Sequence, residues 1–165
     1  FPVAKNILIG SNGLSLAAMA KVMPEAKVHQ MPSVGDVAQA AARVVAAGPG
    51  IHLFGGETTV KLTGNGRGGR NQELALRVAL LAEYENWQGP WLYLQAGTDG
   101  RDGPTDAAGG VVCETSISAM ISVGIDPKQR LANNDAYSAL KAAKALLITG
   151  GTGTNVADLG VLMRV

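Results

Sequence analysis

Residues 51–96, IHLFGGETTVKLTGNGRGGRNQELALRVALLAEYENWQGPWLYLQA, decide the fold. Ile51–Phe54 is a short apolar run that ends in glycine, the pattern of a buried strand, and Trp91–Ala96 is a second such run. Between them lie Gly55-Gly56-Glu57-Thr58, a β-rich run Thr59–Thr63, a glycine loop and a long helix. From about Gly69 to Glu83, Leu74, Val78 and Leu81 recur at i, i+4 and i+7, while Arg70, Glu73 and Arg77 form a separate stripe. One face packs and the other meets solvent or ligand. Glu73 and Arg77, four residues apart, read as a surface ion pair contributing a few tenths of a kcal/mol.

Outward from that centre the alternation continues. Asn6–Ile9 reads as a strand, Ser11-Asn12-Gly13 as a turn, Leu14–Met23 as a helix stopped by Pro24, and Ala26–Gln30 as a weaker strand. Gly35–Ala47 is a second helix, with Ser33 or Asp36 as its cap and Gly48-Pro49-Gly50 at its end. Beyond Ala96 comes a loop from Gly97 to about Gly110, helices over Ser116–Val123 and Asn134–Lys144, and strands over Ala145–Ile148 and Leu159–Val165. The succession predicts an α/β fold: one layered domain over residues 1–165, with a mostly parallel sheet flanked by helices. The chain carries no internal repeat and no linker long enough to divide it.

A chain of 165 residues, 47% of them hydrophobic, supplies a real core. Fourteen basic and 13 acidic residues leave a net charge of +1, without the strong positive field that nonspecific nucleic-acid or membrane-surface binding needs. Neither partner is expected, so a ligand must be read from local features. No stretch approaches the ~18 apolar residues of a membrane span, and the N-terminus lacks the pattern of a signal peptide. The single cysteine, Cys113, forms no intrachain disulfide and fits a reducing compartment, so the cytoplasm is expected. Cys113 reads as a buried thiol, Trp87 and Trp91 as packing residues, and His29 and His52 as isolated. The chain opens Phe1-Pro2-Val3 with no methionine, which suggests a piece of something longer.

Three polar, glycine-rich loops follow strand-like runs, and parallel strands would bring them to one rim, where ligands of open α/β sheets collect. The first, Gly64-Asn65-Gly66-Arg67-Gly68-Gly69, matches G-x-G-x-x-G before a helix. Its glycines let backbone N–H groups approach an anion, the helix N-terminus adds positive charge, and Arg67 and Arg70 add guanidinium groups able to grip phosphate or carboxylate. A glycine-rich turn with solvated arginines would use the same residues. A dinucleotide fingerprint also wants an acidic residue at the end of the next strand, where Gly97 stands. The second loop groups Asp99, Asp102 and Asp106, suited to Mg²⁺ beside a phosphate or to ordinary Asp-Gly and Gly-Pro turns. The third, Thr149–Asn155, offers hydroxyls and glycines but no P-loop lysine, and alone it reads as a tight turn. Glu57 is either a polar anchor for a ligand or a brace for its loop.

Taken in order, several blocks form a recognisable set: Gly55-Gly56-Glu57-Thr58-Thr59-Val60, Gly66–Leu74, Gly97-Thr98-Asp99-Gly100 with Asp102–Gly109, Asn134-Asp135 with Tyr137, and Thr152–Val156 with Asp158-Leu159. From about Ile51 to Val165 the chain resembles the MOFRL domain, the C-terminal part of the type 2 glycerate kinases, a group also called hydroxypyruvate reductases. The resemblance implies transfer of the ATP γ-phosphoryl group to the 2-hydroxyl of D-glycerate with Mg²⁺, in a cleft shared with a larger N-terminal domain of the same protein. That domain carries an essential lysine in the family. The implied roles fall on Arg70 as the catalytic cation; on Gly56, Glu57, Thr58, Arg67, Gly68, Gly69, Asn71, Thr152, Thr154 and Asn155 as the contacts to substrate or phosphate; and on Asp99, Asp102 and Asp106 as metal ligands. The chain departs from the family pattern at Gly151, usually proline, and at Ala136, usually serine. The competing readings are an NAD(P)H-dependent hydroxypyruvate reductase and a non-catalytic domain that binds a small anion or assembles with a partner chain.

Overall fold

The computed structural model describes residues 3–29 and 34–165. Ser33, the alternative cap, and Gln30, the end of the weaker strand, lie outside the described residues.

The chain builds α1 (Asn12–Val22), β1 (Lys27–Val28), β2 (Gly35–Asp36), α2 (Val37–Val45), β3 (Gly50–Gly56), β4 (Thr58–Thr59) and α3 (Arg70–Tyr84). It continues with β5 (Trp91–Gly97), β6 (Gly109–Cys113), α4 (Ser116–Ser122), α5 (Pro127–Ala132), α6 (Ala136–Ala142), β7 (Leu146–Leu147) and β8 (Asp158–Arg164). Local chemistry sets the helix starts. Ser11 Oγ accepts the Leu14 N–H at 3.2 Å to cap α1, and Asp36 accepts the Ala38 N–H at 2.8 Å to cap α2. Asp126 caps α5 by accepting from Lys128 and Gln129, with Pro127 in the first turn.

The layered α/β class holds, and the strand directions refine it. The main sheet has six strands in the order β1-β3-β8-β5-β6-β7. Within this sheet, among the described residues, only β1 and β3 pair in parallel, and the other four pairings are antiparallel. The reason is insertion: β8 lies between β3 and β5, and β6 between β5 and β7. Strands β1, β3, β5 and β7 therefore still run the same way. The loops after β3, β5 and β7 do reach one end of the sheet, although the sheet is not the mostly parallel one expected.

Other elements differ from the expectation for identifiable reasons. Asn6–Ile9 joins no ladder, because among the described residues nothing pairs with it, and Ile7, Leu8 and Ile9 are exposed. The β-rich run Thr59–Thr63 reduces to β4, paired with β2 in a separate two-stranded sheet. Three elements depart from the sequence pattern, the first being β2, which takes Gly35–Asp36 from the start of the expected second helix. Strand β6 begins inside the segment read as loop, and α5 lies between the expected fourth and fifth helices.

Helix α3 is the core of the molecule: Leu74, Ala75, Leu76, Val78 and Ala79 are fully enclosed. The second stripe is also buried in part, for Glu73 is 3% exposed. Its pair with Arg77, at 2.8 Å, joins this buried carboxylate to a partly exposed guanidinium rather than lying wholly on the surface. On the other face of the sheet α1 lies so close to β3 that a Cβ at Gly55 would overlap the side chains of Asn12 and Leu16. Trp87 and Trp91 pack edge to face at 5.5 Å, as packing residues do. No helix among the described residues is long and apolar enough to cross a membrane.

Candidate functional site at the glycine loop

Arg70 is the first residue of α3, after Gly69 at the cap position, which has no side chain to satisfy the first helical N–H groups. Asp102 does it instead. Its Oδ1 accepts from the Asn71 backbone N–H and Nδ2, each at 3.1 Å, and its Oδ2 from the Gln72 N–H at 2.8 Å and Nε2 at 3.0 Å. Burial pushes the Asp102 carboxyl above its ordinary value, against the pull of those four N–H groups. The network continues inward: Gln95 donates to Asn71 Oδ1 at 2.7 Å, and the buried Tyr93 hydroxyl donates to Gln95. The helix donors expected to cradle an anion are thus already held by an internal carboxylate. Gly69 is needed there, since a Cβ would overlap Asp102.

The loop before it is pinned from the α5–α6 turn. Asn134 Oδ1 accepts from the N–H groups of Thr63 and Gly64, Asn133 accepts from those of Asn65 and Gly66, and Asp135 Oδ1 from that of Arg67. Asn134 Nδ2 in turn reaches Glu73 Oε2 at 3.2 Å. The N–H groups of Gly68 and Gly69 are left without an acceptor among the described residues.

The Arg70 guanidinium is gripped from one side. Its Nε and Nη2 donate to Asp158 at 2.6 and 3.0 Å, and Asp158, the first residue of β8, is buried. From the other side Nη1 meets Glu57 Oε1 at 2.9 Å, where Glu57 is 59% exposed. The bond to Asp158 raises the arginine's pKa further, outweighing its partial burial. Beside this group opens a cavity of about 680 Å³, bounded by β4 and Leu62, by Gly66 and Gly68–Arg70, by Gly103-Pro104, and by Glu73 and Asn134. The Thr58 hydroxyl, on a 4% exposed residue of its wall, has no hydrogen-bond partner among the described residues.

Of the residues singled out in the sequence, Glu57, Thr58, Gly68, Gly69, Arg70 and Asp102 meet at this cavity. Gly56 stands just behind them, paired with Asp158 in the ladder. Arg67 turns away: it donates to the Pro104 carbonyl and lies over the Tyr137 ring at 4.6 Å. Asn71 points into the core network. Thr152, Thr154 and Asn155 belong to a loop folded onto Thr98 and Asp99, and the two threonines line a separate hollow with Ile9 and Leu14.

The three aspartates do not form one metal site. Asp102 caps α3, Asp106 accepts from the Tyr137 hydroxyl at 2.9 Å, and Asp99 accepts from the Arg101 N–H. Among the described residues no three His, Cys, Asp or Glu side chains gather as a metal cluster. The donor set does not fit Mg²⁺ held by this chain alone.

Three further residues depart from their reading. His29 and His52 are hydrogen-bonded to each other at 3.0 Å, and His29 stacks on Phe54. Cys113 is half-buried on β6 rather than enclosed. Asp158, Glu73 and Asn134 were not assigned to the site, because each acts through a contact distant in sequence; Arg70 and Asp158 are 88 residues apart.

Fold and site together define an α/β domain whose glycine loop and anchored arginine face a ligand-sized cavity. The MOFRL family model matches residues 50–158, and the chain belongs to that family. It is similar to a D-glycerate 2-kinase of Thermotoga maritima, 57% identical over 111 residues that cover 67% of this chain and 26% of the relative. It is also similar to a glycerate kinase of Homo sapiens, 50% identical over 121 residues, or 70% of this chain and 23% of the relative. Among solved structures, a glycerate kinase from Thermotoga maritima superposes with a TM-score of 0.88 at 39% identity, covering 96% of this chain and 42% of that one. The matched stretches thus span about a quarter of the length of these curated relatives.

Proposed function

We propose that this chain is the C-terminal domain of a longer, two-domain glycerate 2-kinase, which transfers the γ-phosphoryl group of ATP to D-glycerate. The observation that carries the reading is Arg70, fixed on its inner edge by buried Asp158 and open toward a cavity. Phosphoryl transfer asks for positioning and for neutralisation of charge on the transferring oxygens. Arg70 supplies a preorganised cation, the free N–H groups of Gly68 and Gly69 supply donors beside it, and the unpartnered Thr58 hydroxyl supplies one more. A cavity of about 680 Å³ has room for more than a three-carbon acid, which suits phosphate groups at this wall. Glu57 stands at the same wall, paired with Arg70 Nη1; Arg67 and Asn71 serve the wall from behind. The N-terminal domain closes the cleft.

The test is a coupled assay on the complete polypeptide with ATP, Mg²⁺ and D-glycerate, run beside NADH oxidation with hydroxypyruvate. Kinase activity without reductase activity is expected. Hydroxypyruvate-dependent NADH oxidation without ADP formation would overturn the reading in favour of a reductase, and neither activity would favour a non-catalytic anion-binding domain.

A further inference from the structure

Arg70 is held by two carboxylates that differ in kind. Asp158 is 2% exposed, bidentate and part of the sheet, so its grip is shielded from solvent. Glu57 is 59% exposed, follows the last residue of β3 and makes one contact, through Oε1 to Nη1. An exposed, single-contact ion pair contributes little and exchanges readily with solvent or a competing anion. Nη1 is also the part of the guanidinium not engaged by Asp158, and Glu57, Thr58, Gly68 and Gly69 all line the cavity it adjoins.

We infer that Glu57 is a built-in competitor for the anion position on Arg70: its carboxylate takes the Nη1 donor until a phosphate or carboxylate oxygen of a ligand displaces it. This rests on the reading of Arg70 as an anion clamp, and it reverses the role first assigned to Glu57, that of a direct ligand contact. Two consequences follow from elementary electrostatics. The competition weakens apparent affinity for every oxyanion, since part of the binding energy goes into breaking the pair. Once displaced, the Glu57 charge also repels the newcomer at short range. Neutralising Glu57 removes both effects and leaves the Asp158 anchor intact.

The experiment is an amide NMR titration of the full chain with inorganic phosphate and, separately, with acetate, at constant ionic strength and following Gly68 and Gly69. Wild type, Glu57→Gln, Glu57→Asp and Arg70→Ala are compared. Glu57→Gln is expected to bind both anions about 3- to 10-fold more tightly than wild type. Glu57→Asp, which keeps the charge but is one methylene shorter, falls between them. Binding that appears only in Glu57→Gln supports the inference equally. Unchanged or weaker binding in Glu57→Gln overturns it and restores Glu57 as a ligand contact. If Arg70→Ala binds phosphate as wild type does, or no variant responds, the clamp reading itself fails and the inference with it.

Discussion

At the scale of single residues, Asp102 separates what the glycine loop does from what its pattern suggests. A carboxylate with four N–H donors and almost no exposure is an internal substitute for the anion that a helix N-terminus attracts. Removing it strands several buried donors, each costing about 1–3 kcal/mol. Asp102→Ala is therefore expected to lower stability by about 3 kcal/mol or more, read from urea unfolding; a loss under about 1 kcal/mol would contradict the capping role.

Asp135 behaves in the opposite electrostatic sense. Burial raises its pKa, but bonds from Ser138, the Arg67 N–H and Arg130 outweigh that and hold it below the usual carboxylate range. A depressed folded-state pKa adds stability above the unfolded value, lost as pH falls through the folded one. The stability gap between wild type and Asp135→Asn should be full at pH 5–7 and shrink below about pH 4. A gap unchanged in acid would show that Asp135 acts by packing alone.

At the scale of elements, the α5–α6 turn is a splint for the loop. Asn134 sits at φ 54°, a left-handed conformation that asparagine tolerates, and from there its side chain holds Thr63, Gly64, Lys61 and Glu73. Asn134→Ala is expected to raise amide exchange at Thr63 and Gly64 by at least about tenfold, while the α3 interior exchanges as before. Equal acceleration throughout would mean global destabilisation instead. Elements of this kind are hard to read in advance. Helix α3 and strands β3 and β5 are legible because their period or apolar run is long. Helix α5 is six residues with no apolar stripe, and β6 opens on two glycines, so only the Asp126-Pro127 cap signal offered a clue.

At the scale of the whole molecule, the last strand in sequence stands in the middle of the sheet. β8 bonds to β3 on one side and β5 on the other, and its first residue anchors Arg70. The expected gathering of loops at one rim survives because β8 and β6 run against their neighbours, leaving β3, β5 and β7 aligned. Periodicity identifies strands but not their order, and a contact across 88 residues leaves no local trace, which is why Arg70 was legible and Asp158's hold on it was not. Ending the chain at Ala157 should abolish cooperative unfolding, since two strands lose their central partner; a truncated chain with native near-UV dichroism would contradict this topology.

In the proposed function Arg70, locked by Asp158, stabilises a phosphoryl group in transfer. This role is tested most directly by the rate of the complete polypeptide carrying Arg70→Ala, with ATP, Mg²⁺ and D-glycerate at saturation. A fall in kcat of at least ~100-fold with the fold intact is expected; a rate close to that of the complete polypeptide without the substitution would overturn the role of Arg70.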